Sequence, residues 1–143
     1  MTTRVVLDTS ALMMPVELDV RLFDELDRLL GGGPRSITDG DVDTDGGFSA
    51  VVAQPVLEEL RRLSEKGGTE GTAANVGHDL ATERCLAVDT EESYADDALV
   101  ELAREGSVDY VVTNDRPLRD RVLAEGIPVI ALRGRNKLGI TQP

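Results

Sequence analysis

Short apolar runs alternate with segments of helical period along this chain, and that alternation limits the fold more than any other feature. The runs are Val5-Val6-Leu7, Ser49 to Ala53, Cys85 to Val88, Tyr110-Val111-Val112 and Val129 to Leu132. They are too short for buried helices and nearly continuous in apolar character, so they read as strands covered on both faces. Between the first two, Leu18, Leu22, Leu26, Leu29 and Leu30 predict one helix, ended by Gly31-Gly32-Gly33-Pro34. Pro55 suits the first turn of the next helix, whose core stripe is Leu57, Leu60 and Leu63 and whose stop is Gly67-Gly68. Further helices are predicted over roughly 70–84 and 95–105, and from Asp115 to about Glu125, where Gly126 follows. Strands alternating with helices predict a parallel sheet with helices on both faces, in a single α/β domain spanning residues 1–143.

Residues 31–49 interrupt this pattern and read as a flexible, acidic, Gly-rich surface loop. Asp39, Asp41, Asp43 and Asp45 invite a calcium reading. Asp41, Asp43, Asp45 and Gly46 fit the first half of an EF-hand loop, but Val52 stands where that loop needs a bidentate Glu. The Gly triplet ends a helix instead of following a strand, so it is no dinucleotide fingerprint.

Composition narrows the function classes. Aromatic residues are only 3%, so the core must be aliphatic, and the aromatic platforms of single-strand binders are not expected. One Cys and one His exclude a Cys/His zinc site. Cys85 reads as a small buried hydrophobe and His78 as a surface helix residue. No run of about 18 apolar residues is present, and the N-terminus lacks a signal-peptide pattern. The expectation is a soluble cytoplasmic protein. The net charge of −12 is unusual for a chain that meets nucleic acid. It is unevenly spread: residues 113–143 carry a local +3 and the remainder −15. The basic residues of that end are Arg116, Arg119, Arg121, Arg133, Arg135 and Lys137.

Ligands of open α/β sheets bind beyond the carboxyl ends of the strands. Asp8 closes the first strand, and Asp115 follows the fourth and opens a helix. Glu59 lies one turn into the helix after the second strand, and Asp97 near the start of the helix after the third. Converging carboxylates repel, and a divalent cation is the natural way to keep them ionised together. Oxygen-only ligands suit Mg²⁺ or Mn²⁺, which polarise a phosphodiester and activate water. Spacing alone leaves Glu58 open beside Glu59 and Asp96 open beside Asp97, because adjacent helical residues point about 100° apart.

Four strings carry a family resemblance: Val5-Val6-Leu7-Asp8-Thr9-Ser10, Val56-Leu57-Glu58-Glu59-Leu60, Ala95-Asp96-Asp97-Ala98-Leu99-Val100 and Val111-Val112-Thr113-Asn114-Asp115. In this order they resemble the motifs of PIN-domain nucleases, over nearly the whole chain. The resemblance implies a three-layer α/β/α fold, a five-stranded parallel sheet in order 3-2-1-4-5, and Mg²⁺- or Mn²⁺-dependent RNA cleavage. It selects Asp8, Glu59, Asp97 and Asp115 as metal ligands and makes Ser10 and Thr113 supporting hydroxyls. RNA would be met through Arg116, Arg119, Arg133, Arg135 and Lys137. A homodimer is expected from resemblance only. Tyr94-Ala95-Asp96-Asp97 and Val129 to Arg135 look closer to ribosome-processing PIN nucleases than to VapC-type toxins, which would bring an antitoxin partner.

The competing classes fit less well. Haloacid-dehalogenase-type phosphatases need Asp-x-Asp after the first strand, and Ser10 occupies that third position. A receiver domain would use Asp89 and a Lys after the last strand, where Arg133 stands. An inactive PIN fold serving as an RNA-binding or assembly module is the remaining alternative, and retention of all four acids argues against it.

Overall fold

Val5, Val6 and Leu7 are fully buried in a central strand, β1 (Thr3–Leu7). The computed structural model describes residues 2–31 and 47–143. The loop expected over 31–49, with Asp39, Asp41, Asp43 and Asp45, lies almost entirely outside the described residues. The other strands are β2 (Phe48–Ala53), β3 (Leu86–Val88), β4 (Tyr110–Val112), β5 (Val129–Arg133) and β6 (Lys137–Thr141). They form one sheet in the order β3-β2-β1-β4-β5-β6. The first five run parallel in the expected order, and β6 pairs antiparallel with β5.

That sixth strand adds to the five-stranded expectation. The turn between β5 and β6 contains Gly134 at φ 86°, a left-handed conformation that favours glycine. Residues 137–141 offer only Leu138 and Ile140 as apolar strand formers, too few to mark a strand by pattern. Glu25 secures it instead, accepting the Leu138 N–H at 2.9 Å and pairing with Arg28 at 2.7 Å and Lys137 at 3.7 Å.

The helices are α1 (Thr9–Glu17), α2 (Leu22–Leu30), α3 (Gln54–Ser64), α4 (Gly68–Arg84), α5 (Ala95–Glu105) and α6 (Arg116–Ala124). The first expected helix is thus two. Pro15 removes a backbone donor near the end of α1, and Asp19 at φ 56° turns the chain. Of the expected leucine stripe, Leu22 and Leu26 are buried in α2, whereas Leu18 is the C-cap of α1 and 39% exposed. Helices α1, α3 and α4 pack together, as do α5 and α6.

Strands β1, β2 and β3 are laid down in one direction from the centre, then β4 and β5 in the other. The order reverses between β1 and β4, which creates a crevice at their carboxyl ends. This is the position the fold reserves for a ligand.

Helix α4 crosses α1 at a glycine. A Cβ on Gly77 would meet the Leu12 carbonyl oxygen at 2.7 Å, and that atom is backbone. Gly→Ala within a helix ordinarily stabilises by up to about 1 kcal/mol. Here the sign reverses. Gly77→Ala is expected to destabilise by about 1–3 kcal/mol, while Asn75→Ala, on the exposed face of α4, does not. Urea denaturation of the two variants checks this, and equal stability would mean that α1 and α4 do not pack this closely.

Candidate active site

Asp8 and Thr113 face each other across the reversal of strand order. Asp8 directly follows β1 and Thr113 directly follows β4. The Asp8 N–H donates to the Val112 carbonyl at 3.2 Å, and the Thr113 N–H to the Ile130 carbonyl at 3.0 Å, so both backbones are tied to neighbouring strands. Both residues are buried, Asp8 at 4% exposure and Thr113 at 0%.

A buried carboxylate must find donors. Asp8 has three. As N-cap of α1 it accepts the Ala11 N–H on Oδ1 at 2.8 Å. The Ser10 hydroxyl donates to Oδ1 at 2.9 Å, and the Thr113 hydroxyl donates to Oδ2 at 2.5 Å. Burial nevertheless dominates. It pushes the Asp8 pKa up to about 6 against the lowering effect of the three donors, with the Asp96 carboxylate adding to the rise.

The Thr113-Asn114-Asp115 turn is built from the same hydroxyls. Thr113 Oγ1 accepts the Asp115 N–H at 3.0 Å, and Ser10 Oγ accepts the Asn114 N–H at 3.1 Å. Asn114 Oδ1 accepts the Leu132 N–H at 2.8 Å, joining the turn to β5. Asp115 caps α6 by accepting the Leu118 N–H at 3.2 Å. The sequence reading singled out Ser10 and Thr113 but passed over Asn114, whose side chain adds a second tie from the turn to β5, beside the Thr113 N–H.

Glu59 is half-buried and Glu58 exposed. The Thr9 hydroxyl donates to Glu59 at 2.5 Å, which brings Glu59 beside the start of α1. Thr9 is the second residue the sequence reading overlooked. A hydroxyl beside an acid at a strand end was its only signal.

The aspartate pair opening α5 differs from the expectation. The Asp96 pKa is raised by partial desolvation, then by the carboxylates of Asp115 and Glu59. Asp96 therefore shares the rim with Asp8, Glu59 and Asp115. Asp97 points elsewhere, accepting from Arg121 Nη2 of α6 at 3.0 Å. It borders a groove of about 260 Å³ with Glu101, Arg104 and Arg121. The expectation named Asp97; in the structure Asp97 meets Arg121 while Asp96 is the one of the pair influenced by Asp115 and Glu59, as neighbours on one helix face directions about 100° apart.

The basic residues are also redistributed. Arg133 donates to the Ile140 carbonyl at 3.1 Å, and Lys137 is drawn to Glu25. Arg119 does not pair with Asp115; its nearest acid is Asp120 at 3.8 Å, and its buried Nε has no hydrogen-bond partner among the described residues. Cys85 is partly buried against the core, and burial pushes its thiol up to about 11.

A family model described as PIN like domain matches residues 5–135, from β1 through the β5–β6 turn. The chain belongs to the PIN-like family. One curated relative of this PIN domain is Ribonuclease VapC4 of Methanocaldococcus jannaschii, 34% identical over 89 residues, 60% of this chain and 67% of that protein. Among solved structures, the PIN domain endonuclease Utp24 superimposes with a TM-score of 0.72 at 22% identity, covering 98% of this chain and 92% of the other. That similarity is one of fold.

The buried charge of Asp8 sets a pH dependence of stability. Its pKa is about 6 when folded against 3.8 ordinarily, so ionisation opposes folding at neutral pH. The opposition fades as pH falls from about 6 toward 4. Relative to wild type in a metal chelator, Asp8→Asn should therefore be more stabilising at pH 7.5 than at pH 4, by about 2–3 kcal/mol. Urea titrations at the two values read this difference. A pH-independent difference would mean that Asp8 is not held in a desolvated site.

Proposed function

We propose that this PIN domain is a divalent-metal-dependent endoribonuclease whose acids are Asp8, Glu59, Asp96 and Asp115. The observation that carries the reading is the gathering of acids at the crevice between β1 and β4: Asp8 braced by Thr113, Asp115 held by the same hydroxyl, and Glu59 held by Thr9, with the Asp96 carboxyl pushed up by burial and then by Asp115 and Glu59. Mutually opposed carboxylates at a ligand-binding crevice are what a cation would relieve. The donor set is oxygen only, which suits Mg²⁺ or Mn²⁺. Among the described residues, no three acids are gathered tightly enough to hold an ion as they stand. Glu59 is engaged with Thr9 and Asp8 with Thr113, so loading would draw the freer carboxylates inward around Asp8.

The cation would supply Lewis-acid activation of a phosphodiester and of the attacking water. The protein's own part is orientation. Thr113, Ser10 and the Ala11 N–H fix both oxygens of Asp8, and α6 fixes Asp115 through Leu118. Thr113 and Ser10 thus position the acid and need not touch substrate. Arg116 and Arg119 near the start of α6, with Arg133, Arg135 and Lys137 at the β5–β6 turn, lie at the carboxyl end of the sheet and would draw the RNA backbone.

Ribosomal RNA maturation is the role favoured by the resemblance of Tyr94 to Asp97 to ribosome-processing members. The VapC4 relative favours a second reading, a toxin ribonuclease held by an antitoxin. Co-purification of a small partner chain that suppresses cleavage separates the two.

Cleavage of a labelled RNA mixture is expected with Mn²⁺ and not in chelator. Asp8→Asn and Asp96→Asn should each lower the rate by about 100-fold or more, and Thr113→Val by about 10-fold. Asp97→Asn should stay within a few-fold of wild type. Loss of activity in Asp97→Asn with retention in Asp96→Asn would overturn the assignment of acids. A wild type that cuts no RNA would overturn the nuclease reading.

A further inference from the structure

The chain has four aromatic residues, Phe23, Phe48, Tyr94 and Tyr110. Folding accounts for three. Phe23 is buried, with the Arg84 guanidinium 4.3 Å from its ring centre. Phe48 and Tyr110 are partly buried against the core. Tyr94 is 75% exposed. Covering a large apolar side chain typically contributes about 1.5–3 kcal/mol, which this ring forgoes.

Its place is specific. Tyr94 is the N-cap residue of α5, two positions before Asp96, so their Cα atoms lie within about 7 Å. It follows the carboxyl end of β3, on the rim that carries Asp8 and Asp115. The loop bearing it is pinned. The Glu101 carboxylate accepts the Glu91 N–H at 3.0 Å and the Glu92 N–H at 2.9 Å. The Thr90 hydroxyl donates to the Glu92 carbonyl at 2.9 Å, and the Tyr94 carbonyl accepts the Ala98 N–H at 2.9 Å. These bonds hold Glu101 ionised, its pKa lowered first by the Glu91 N–H and then by that of Glu92.

We propose that Tyr94 is a stacking platform for an unpaired RNA base beside the carboxylate cluster, and that Glu101 is the positioning residue that holds its loop. The proposal rests on the nuclease reading and adds to it a residue that meets the base. A base inside a duplex has both faces covered and cannot stack on a protein ring. Stacking also answers the charge problem. A chain of net charge −12 gains little from phosphate contacts at long range, whereas base–aromatic stacking does not depend on charge. The proposal departs from the expectation that so few aromatics leave no stacking platform: it needs one exposed ring, on the residue two before Asp96.

The test uses the full chain. Tyr94→Ala should raise KM for single-stranded RNA by about 5- to 150-fold with kcat within a few-fold, and Tyr94→Phe should restore the wild-type KM. Glu101→Ala should raise KM in the same direction. Added to Tyr94→Ala it should cost no more than Tyr94→Ala alone. The protein has no tryptophan, so Tyr94→Trp provides a unique reporter. Its emission should be quenched by a mixed-sequence single-stranded oligoribonucleotide and unmoved by the matching duplex. Leu18→Trp, at the opposite end of α1, should report neither. Unchanged emission in Tyr94→Trp, or an unchanged KM in Tyr94→Ala, overturns the proposal. A change of oligomeric state in Tyr94→Ala with KM intact also overturns it and makes the ring a protein contact. The titration needs no cleavage, so failure of the nuclease reading and failure of the stacking proposal are distinguishable.

Discussion

The hydrogen bond from Thr113 to Asp8 joins the two strands between which the chain reverses its direction of growth through the sheet. Everything at the site hangs from it. The same Thr113 hydroxyl accepts the Asp115 N–H, and the same Asp8 carboxylate caps α1 through Ala11. One buried pair therefore orients two helix starts and the turn after β4. Its cost is a carboxylate removed from water, visible in a pKa near 6. A protein under selection for stability alone would place an apolar residue or an amide there. Retaining an acid, braced by two hydroxyls and a backbone N–H, makes sense where the charge itself is needed. The site is thus a local exception to the rules that built the strands around it.

Much of this arrangement was legible in the chain, for a physical reason. Strands buried on both faces must be apolar throughout, so Val5-Val6-Leu7 and Tyr110-Val111-Val112 announce themselves, and a polar residue ending such a run must lie at the sheet's rim. That logic pointed to Asp8 and Asp115 at the rim; Thr113 was named only through the family resemblance. The rim logic could not separate Asp96 from Asp97. Both lie in the first turn of α5, and the choice depends on how that helix is rotated, which Ala98, Leu99 and Leu102 set by packing. Arg121, from a different helix, completes the distinction by engaging Asp97. No local pattern contains that information.

The break between α1 and α2 is local: Pro15 near the end of α1 was a readable stop signal, and Asp19 at φ 56° turns the chain. The sixth strand is a different case. Strand β6 exists because Glu25, far away in sequence, satisfies the Leu138 N–H and gathers Arg28 and Lys137. Glu25 itself fits the polar side of a leucine-striped helix, yet it is buried and bonded. Tertiary hydrogen bonds between partners widely separated in sequence are the class of interaction that periodicity cannot express.

Charge placement ties the fold to its proposed work. Several cations that make residues 113–143 locally basic are partly spent on internal partners: Arg121 on Asp97, Lys137 on Glu25, Arg133 on the Ile140 carbonyl. The positive end that the sequence advertises is therefore weaker at the surface than its formal count. An acidic protein with so modest a basic edge cannot hold RNA chiefly by neutralising phosphates. It needs attraction that is local and survives screening: a cation within the carboxylates, which reverses the sign of the field where the phosphodiester must sit, and an aromatic face, which ignores charge. The Asp8–Thr113 crevice and Tyr94 would supply these two attractions on one rim. On this reading the long-range repulsion of the acidic surface becomes a filter against indiscriminate binding, leaving capture to RNA whose unpaired base and backbone can engage both at once.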